Sequence, residues 1–163
     1  MGNPKPISVY AVAGNKLGNR LYLNNQVDWR PEDASDDDIC DVEDAVTALI
    51  RFDNGSVISV EASFSLNLEK DKGDIEFFGT KAGAKLDPEL KIFSTMSNYM
   101  TNVQLTVPSA LSFGGLFDNE INHFVDCVRT GAPCRNPAED GVALMKILDG
   151  IYESARTGHE VIL

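Results

Sequence analysis

The hydrophobic period of this chain changes once. As far as Val107 the apolar residues alternate with polar ones in short runs; from Phe117 onward they recur every three or four positions. A strand sends successive side chains to opposite faces, whereas a helix returns to the same face every 3.6 residues. Strands first and helices last, with hairpin connections, predict an α+β fold: a mostly antiparallel open sheet with helices packed on one face. The 163 residues are expected to form a single domain with a sizeable core.

Asp53-Asn54-Gly55 separates two alternating runs, 45–52 and 56–66, and Asn-Gly readily takes the positive φ of a tight hairpin. In the second run Ile58, Val60, Ala62, Phe64 and Leu66 share an expected core face, and Val57, Ser59, Glu61, Ser63 and Ser65 share a more polar one. Ile7 to Ala13, Asp74 to Gly79, Ala84 to Leu86, Leu90 to Ser94 and Asn102 to Val107 read as further strands, the last stopped by Pro108. Thr80 to Gly83 reads as a turn.

Phe117, Ile121, Phe124, Val125 and Val128 make the apolar stripe of a first helix that ends before Thr130-Gly131. A second is expected to open with Asn136 as cap, Pro137 at the first helical position and Glu139 reaching back. Its apolar side would be Leu144, Leu148, Ile151, Tyr152 and Ala155, and Gly158 would end it. Residues 159–163 read as an extended terminal piece.

The net charge of −11 repels phosphate backbones and anionic lipid, which argues against nucleic-acid and membrane partners. No apolar run approaches the ~20 residues a membrane helix needs, and the N-terminus lacks a signal-peptide core. A cytoplasmic location is the expectation.

Little of the sequence reads as chemistry. Gly14-Asn15-Lys16-Leu17-Gly18 follows a strand but lacks the third glycine and the helix of a dinucleotide fingerprint, and it lacks the Gly-Lys-Ser/Thr ending of a P-loop. The acidic residues Asp36, Asp37, Asp38, Asp41, Glu43 and Asp44 do not have the spacing of a calcium loop and read as a solvated segment. The three cysteines, Cys40, Cys127 and Cys134, form neither a disulfide framework nor a zinc ribbon. Cys127 reads as a small buried hydrophobe and His123 as a structural neighbour of the helix stripe, so no metal is expected. The polar, aperiodic stretch 14–38 reads as a long loop and is expected to be the most mobile segment. In it Trp29 and Arg30 suit gripping a hydroxylated ligand and equally suit folding back to pack. Asp41 and Asp44 stand at the mouth of a strand where a pocket can form.

Several stretches together resemble the C-terminal domain of the Gfo/Idh/MocA oxidoreductases. They are Asn3-Pro4-Lys5-Pro6-Ile7-Ser8-Val9, Asp41-Val42-Glu43-Asp44 leading into Ala48-Leu49-Ile50-Arg51-Phe52-Asp53-Asn54-Gly55, and Ile75-Glu76-Phe77-Phe78-Gly79-Thr80-Lys81-Ala82-Gly83. Glu120-Ile121-Asn122-His123-Phe124-Val125-Asp126-Cys127 and Ala138-Glu139-Asp140-Gly141 continue the series. The resemblance covers nearly the whole chain, and the order and spacing of the motifs carry it.

What the resemblance implies is an NAD(P)-dependent dehydrogenase whose N-terminal Rossmann domain holds NAD or NADP and a catalytic lysine, with a catalytic Asp and His on the helix just before the stretch matching Asn3-Pro4-Lys5-Pro6. On that reading the chain begins after those residues. No catalytic or cofactor-binding residue carries over, no cofactor is expected on the chain, and by itself it is expected to be inactive. Its implied role is the substrate-side and oligomerisation domain of an enzyme acting on a sugar, inositol or similar polyol, forming a homo-oligomer through the sheet face. Arg20, Trp29, Arg30, Asp41 and Asp44 are the expected substrate-binding residues, as hydrogen-bonding or shaping groups. The competing reading is a non-enzymatic α+β scaffold that self-associates through its sheet.

Overall fold

The computed structural model describes residues 4–18, 35, 39–70, 72–86, 90–103 and 115–163. Among them are two four-stranded antiparallel sheets and two helices, an α+β fold. The chain divides into two compact units, residues 1–67 with 135–163, and residues 68–134.

The first unit holds β1 (Pro6–Gly14), β2 (Ala45–Phe52), β3 (Val57–Ser63), α2 (Ala138–Thr157) and β8 (Val161–Ile162), with strand order β3-β2-β1-β8. The β2–β3 hairpin turns at Asp53-Asn54-Gly55, as the alternation predicts. Asn54 Oδ1 accepts from the Ser56 amide at 3.0 Å and its hydroxyl at 2.7 Å, and Gly55 sits at φ 83°. Strand β1 shifts register between Pro6 and Ser8, and just beyond the shift the consecutive residues Ser8 and Val9 are both buried.

The core lies between this sheet and α2. Val9, Ala11, Ala48, Ile50 and Ile151 are buried, with Val46, Phe52, Val60, Ile147, Val161 and Leu163 packed around them. The inner side of the helix overlaps the expected one at buried Ile151 and half-buried Ala155 and is otherwise rotated from it. Leu144 and Tyr152 are exposed, and Gly150, Ile151 and Ser154 are the buried residues. With half-buried Ala143 and Ile147 they follow the spacing i, i+4, i+7, i+8, i+11, a continuous face. Small residues set this choice, because they let the helix approach the sheet. A Cβ at Gly150 would lie 2.7 Å from Val9 Cγ1 and 2.5 Å from Leu163 Cδ2.

Ser154 completes the packing. Strand β8 pairs with β1 only at Ser8 and Val9, so β1 outruns its partner. Beyond that point the Ser154 hydroxyl accepts from the Ala11 amide at 2.8 Å and donates to the His159 carbonyl at 2.6 Å. One side chain thus bridges the strand to the chain leaving the helix and satisfies a buried amide.

Two other expectations change. Pro137 is the N-cap of α2 in extended conformation, Ala138 opens the helix, and no side chain caps it. The first turn instead carries Glu139 and Asp140, charges that complement the helix dipole. On β3 and the two residues Phe64 and Leu66 of the run beyond it, the expected core face is mostly open, with Ile58, Phe64 and Leu66 about half exposed or more and Val60 partly buried. Strand β3 is at the edge of the sheet, whereas α2 packs over β1.

The second unit is a meander, β4 (Ile75–Phe78), β5 (Ala82–Leu86), β6 (Leu90–Met96) and β7 (Tyr99–Val103), followed by α1 (Leu116–Thr130). Strand β5 starts at Ala82, inside the expected turn. Strand β7 starts at Tyr99, earlier than expected, because Ser97 (φ 51°) and Asn98 (φ 67°) form a two-residue hairpin turn without glycine. Lys85 faces Glu76 across the ladder and also meets Asp74, at 3.2 and 2.7 Å. The stripe of α1 is solvent-facing, with Phe117, Ile121, Phe124 and Val128 each at least 60% exposed.

Candidate functional site

The end of β1 and the start of β2 lie side by side, Gly14 opposite Ala45, so the long connection between them leaves and returns at one place. Asp44 closes that place. Its amide donates to the Gly14 carbonyl at 2.8 Å, and its carbonyl accepts from the Ser63 hydroxyl at 2.6 Å. Its carboxylate is buried, and Oδ2 accepts from three consecutive amides: Lys16 at 2.5 Å, Leu17, and Gly18 at 2.9 Å. Those amides, led by Leu17, hold the carboxyl below its ordinary value of 3.8 against the opposing effect of burial. The backbone at 16–18 is thereby folded around a fixed negative charge.

Other polar groups gather nearby. The Asn15 side-chain amide donates to the Cys40 carbonyl at 2.8 Å. The Tyr152 hydroxyl, from α2, donates to the Glu43 carboxylate at 2.8 and 2.9 Å, and that carboxylate pushes the phenol above its usual range. Asp41 is exposed beside them in sequence. This mouth joins residues from β1, the return of the connection, β3 and α2, and it can offer acceptors to hydroxyl groups.

Of the five expected substrate-binding residues, Arg20, Trp29 and Arg30 lie outside the described residues, as does most of the 14–38 loop. Asp41 and Asp44 belong to the mouth, Asp44 bound to the chain's own backbone and Asp41 open to solvent. Sequence spacing did not single out Asn15, Glu43, Ser63 or Tyr152. Glu43 and Tyr152 are 109 residues apart, and no local pattern joins them.

The second unit offers two further features. One is an open hollow of about 440 Å³ lined by Phe77, Phe78, Ala84, Phe93 and Met100 among others. The other is at the C-terminal end of α1, where His123, Cys127 and Cys134 bring their donor atoms within 4.8 Å of one another.

The described residues contain no dinucleotide cradle. Their strand pairings are antiparallel, unlike the parallel strands of a dinucleotide-binding βαβ unit. No described helix is long and apolar enough to cross a membrane.

Residues 3–163 match the profile described as oxidoreductase family, C-terminal alpha/beta domain, of the Gfo/Idh/MocA proteins. The whole chain is 30% identical to D-glucoside 3-dehydrogenase of Escherichia coli K12, covering 44% of that protein. Over 99% of its length it is 26% identical to D-xylose 1-dehydrogenase (NADP(+)) 2 of Haloferax volcanii, covering 48% of it. The chain therefore spans about half the length of the curated relatives it matches. Among solved structures it resembles levoglucosan dehydrogenase in complex with NADH and L-sorbose, with a TM-score of 0.70 and 22% identity over 97% of this chain and 44% of that one. It also resembles the aldose-aldose oxidoreductase of Caulobacter crescentus complexed with glycerol, with a TM-score of 0.66 and 18% identity over 98% and 42%. The last two likenesses concern the fold.

Proposed function

Since the chain belongs to the Gfo/Idh/MocA oxidoreductase family, as its C-terminal α/β domain, we propose that it is the substrate-side domain of an NAD(P)-dependent dehydrogenase of sugars, inositols or similar polyols. The observation that carries this reading is the match along essentially the whole chain to an enzyme named for dehydrogenating a glucoside. The described residues do not fit a nicotinamide dinucleotide, so the cofactor is assigned to a separate Rossmann domain, and the hydride and proton steps belong to groups held there.

The role proposed for this domain is to shape and line the pocket. Asp44 fixes the backbone at 16–18 through three amides. Glu43, oriented by Tyr152, and the exposed Asp41 present carboxylate oxygens, which suit the hydroxyl groups of a polyol. Arg20, Trp29 and Arg30 remain the proposed contacts from the connecting segment. Copies are proposed to associate through the sheet face, which leaves apolar groups such as Ile75 and Phe77, on one side of β4, open to solvent.

The test joins this chain to a Rossmann domain of the family and follows NAD(P)H formation with glucosides, xylose, levoglucosan and inositols. Turnover on one of them, absent with this chain alone, is expected. A folded, cofactor-binding two-domain protein inert on all of them would overturn the reading. Light scattering on the same sample reads the oligomer, and a monomer would refute the sheet-face association.

A further inference from the structure

We propose that His123, Cys127 and Cys134 form a binding site for a thiophilic divalent ion, Zn²⁺, that ties the last turns of α1 to the loop behind it. The sequence offers no complete metal motif, and the fold assembles the donors. His123 and Cys127 are four residues apart and stack on one face of the helix. Gly131 then ends the helix at φ 70°, its amide bonded to the Cys127 carbonyl at 2.9 Å. The chain reverses there and returns Cys134 to the same face. The Cys127 thiol lies 3.7 Å from the Pro133 carbonyl, which fixes how closely the loop folds back.

The distances suit zinc. Zn–S bonds of about 2.3 Å and a Zn–N bond of about 2.0–2.1 Å in a tetrahedron hold the ligand atoms roughly 3.5–3.8 Å apart. Cys127 Sγ is 3.6 Å from His123 Nε2, already in that range, and all three donor atoms lie within 4.8 Å of one another. Closing on an ion thus needs a shift of the Cys134 side chain of no more than about 1 Å.

Burial supports the same assignment independently. From Gly115 to Cys134 every residue is exposed except His123, Cys127 and Cys134, which are half-buried. The apolar stripe of the helix faces solvent on another side, so the three donors are set apart from the rest of the segment by their burial. Two thiolates and a neutral imidazole balance a divalent charge, and three protein donors leave a fourth position for water. On binding, the two thiol protons pass to solvent as the two metal–sulfur bonds form.

The test titrates the full reduced chain, without oxygen, with Co²⁺ alone and then displaces it with Zn²⁺. Tetrahedral visible bands and a thiolate-to-cobalt charge-transfer band are expected, lost on adding one equivalent of Zn²⁺, with proton release in unbuffered solution. Cys127→Ser and Cys134→Ser should each weaken Co²⁺ binding by at least about 100-fold, since losing even an outer-shell partner costs 10–100-fold. Cys40→Ser, in the other unit, should leave it unchanged. An octahedral cobalt spectrum without a thiolate band, or recovery of Cys127 and Cys134 as a mutual disulfide from freshly purified protein, would overturn the proposal. Because the spectrum is read on the unmodified chain, a variant that fails to fold does not remove the test.

Discussion

Replacing Ser154 by alanine isolates one strut of the first unit. The hydroxyl accepts from the Ala11 amide and donates to the His159 carbonyl, both through a fully buried side chain. Without it the Ala11 amide, on a residue 1% exposed, has lost its acceptor, at about 1–3 kcal/mol for an unsatisfied buried donor. The His159 carbonyl, on an exposed residue, regains water and contributes little. Alanine is the better helix former by about 0.5 kcal/mol. The net expectation is a loss of about 0.5–2.5 kcal/mol. Urea unfolding should show a lower midpoint at unchanged slope, and hydrogen exchange at the Ala11 amide should accelerate more than at its strand neighbours. Asp149→Ala, exposed on the same helix, should be neutral or slightly stabilising. An unchanged midpoint with Ala11 equally protected would refute the bridging role.

Gly150→Ala and Gly141→Ala should have opposite signs. The first forces a Cβ within 2.7 Å of buried Val9, and overpacking of about 1–3 kcal/mol outweighs the ~1 kcal/mol helix gain; the second meets nothing within 4 Å and should raise the melting temperature. Asp44 has a depressed folded pKa, so its contribution is fully present above 3.8 and is lost as pH falls through the lower folded value. Asp44→Asn should therefore destabilise at neutral pH, with the gap to the parent chain narrowing in acid urea titrations; a gap constant with pH would contradict that charge role. Ser97→Gly relieves a positive φ and should stabilise the β6–β7 hairpin by about 0.5–1 kcal/mol, measured by amide exchange at Tyr99 and Met96.

Where a residue's structure follows from its neighbours, the sequence was legible. Asn54-Gly55 marks one hairpin, Gly131 and Gly158 end both helices, and the alternation places β1 and β2 within one or two residues. Where the cause lies far along the chain, it was not. The inner face of α2 is chosen by how closely Gly150 and Ser154 let it approach Val9 and Ala11, and a hydrophobicity pattern weights Leu144 and Tyr152 instead. The Ser97-Asn98 turn carries no glycine to announce it. At the mouth, Asp41 and Asp44 were visible as acids next to a strand. The three amides that Asp44 gathers lie 26 to 28 residues away, and Tyr152 meets Glu43 only through the tertiary fold. His123 and Cys127 stand at helical spacing in the sequence, but Cys134 joins them only once Gly131 reverses the chain.

The most direct measurement is nicotinamide reduction by this chain joined to a Rossmann domain of its family, compared across parent and Glu43→Gln forms. Reduction supported by a sugar or inositol, with the Glu43→Gln form needing more substrate for the same rate, is the predicted result. A well-folded, dinucleotide-saturated assembly that reduces no cofactor with any polyhydroxylated compound would contradict it.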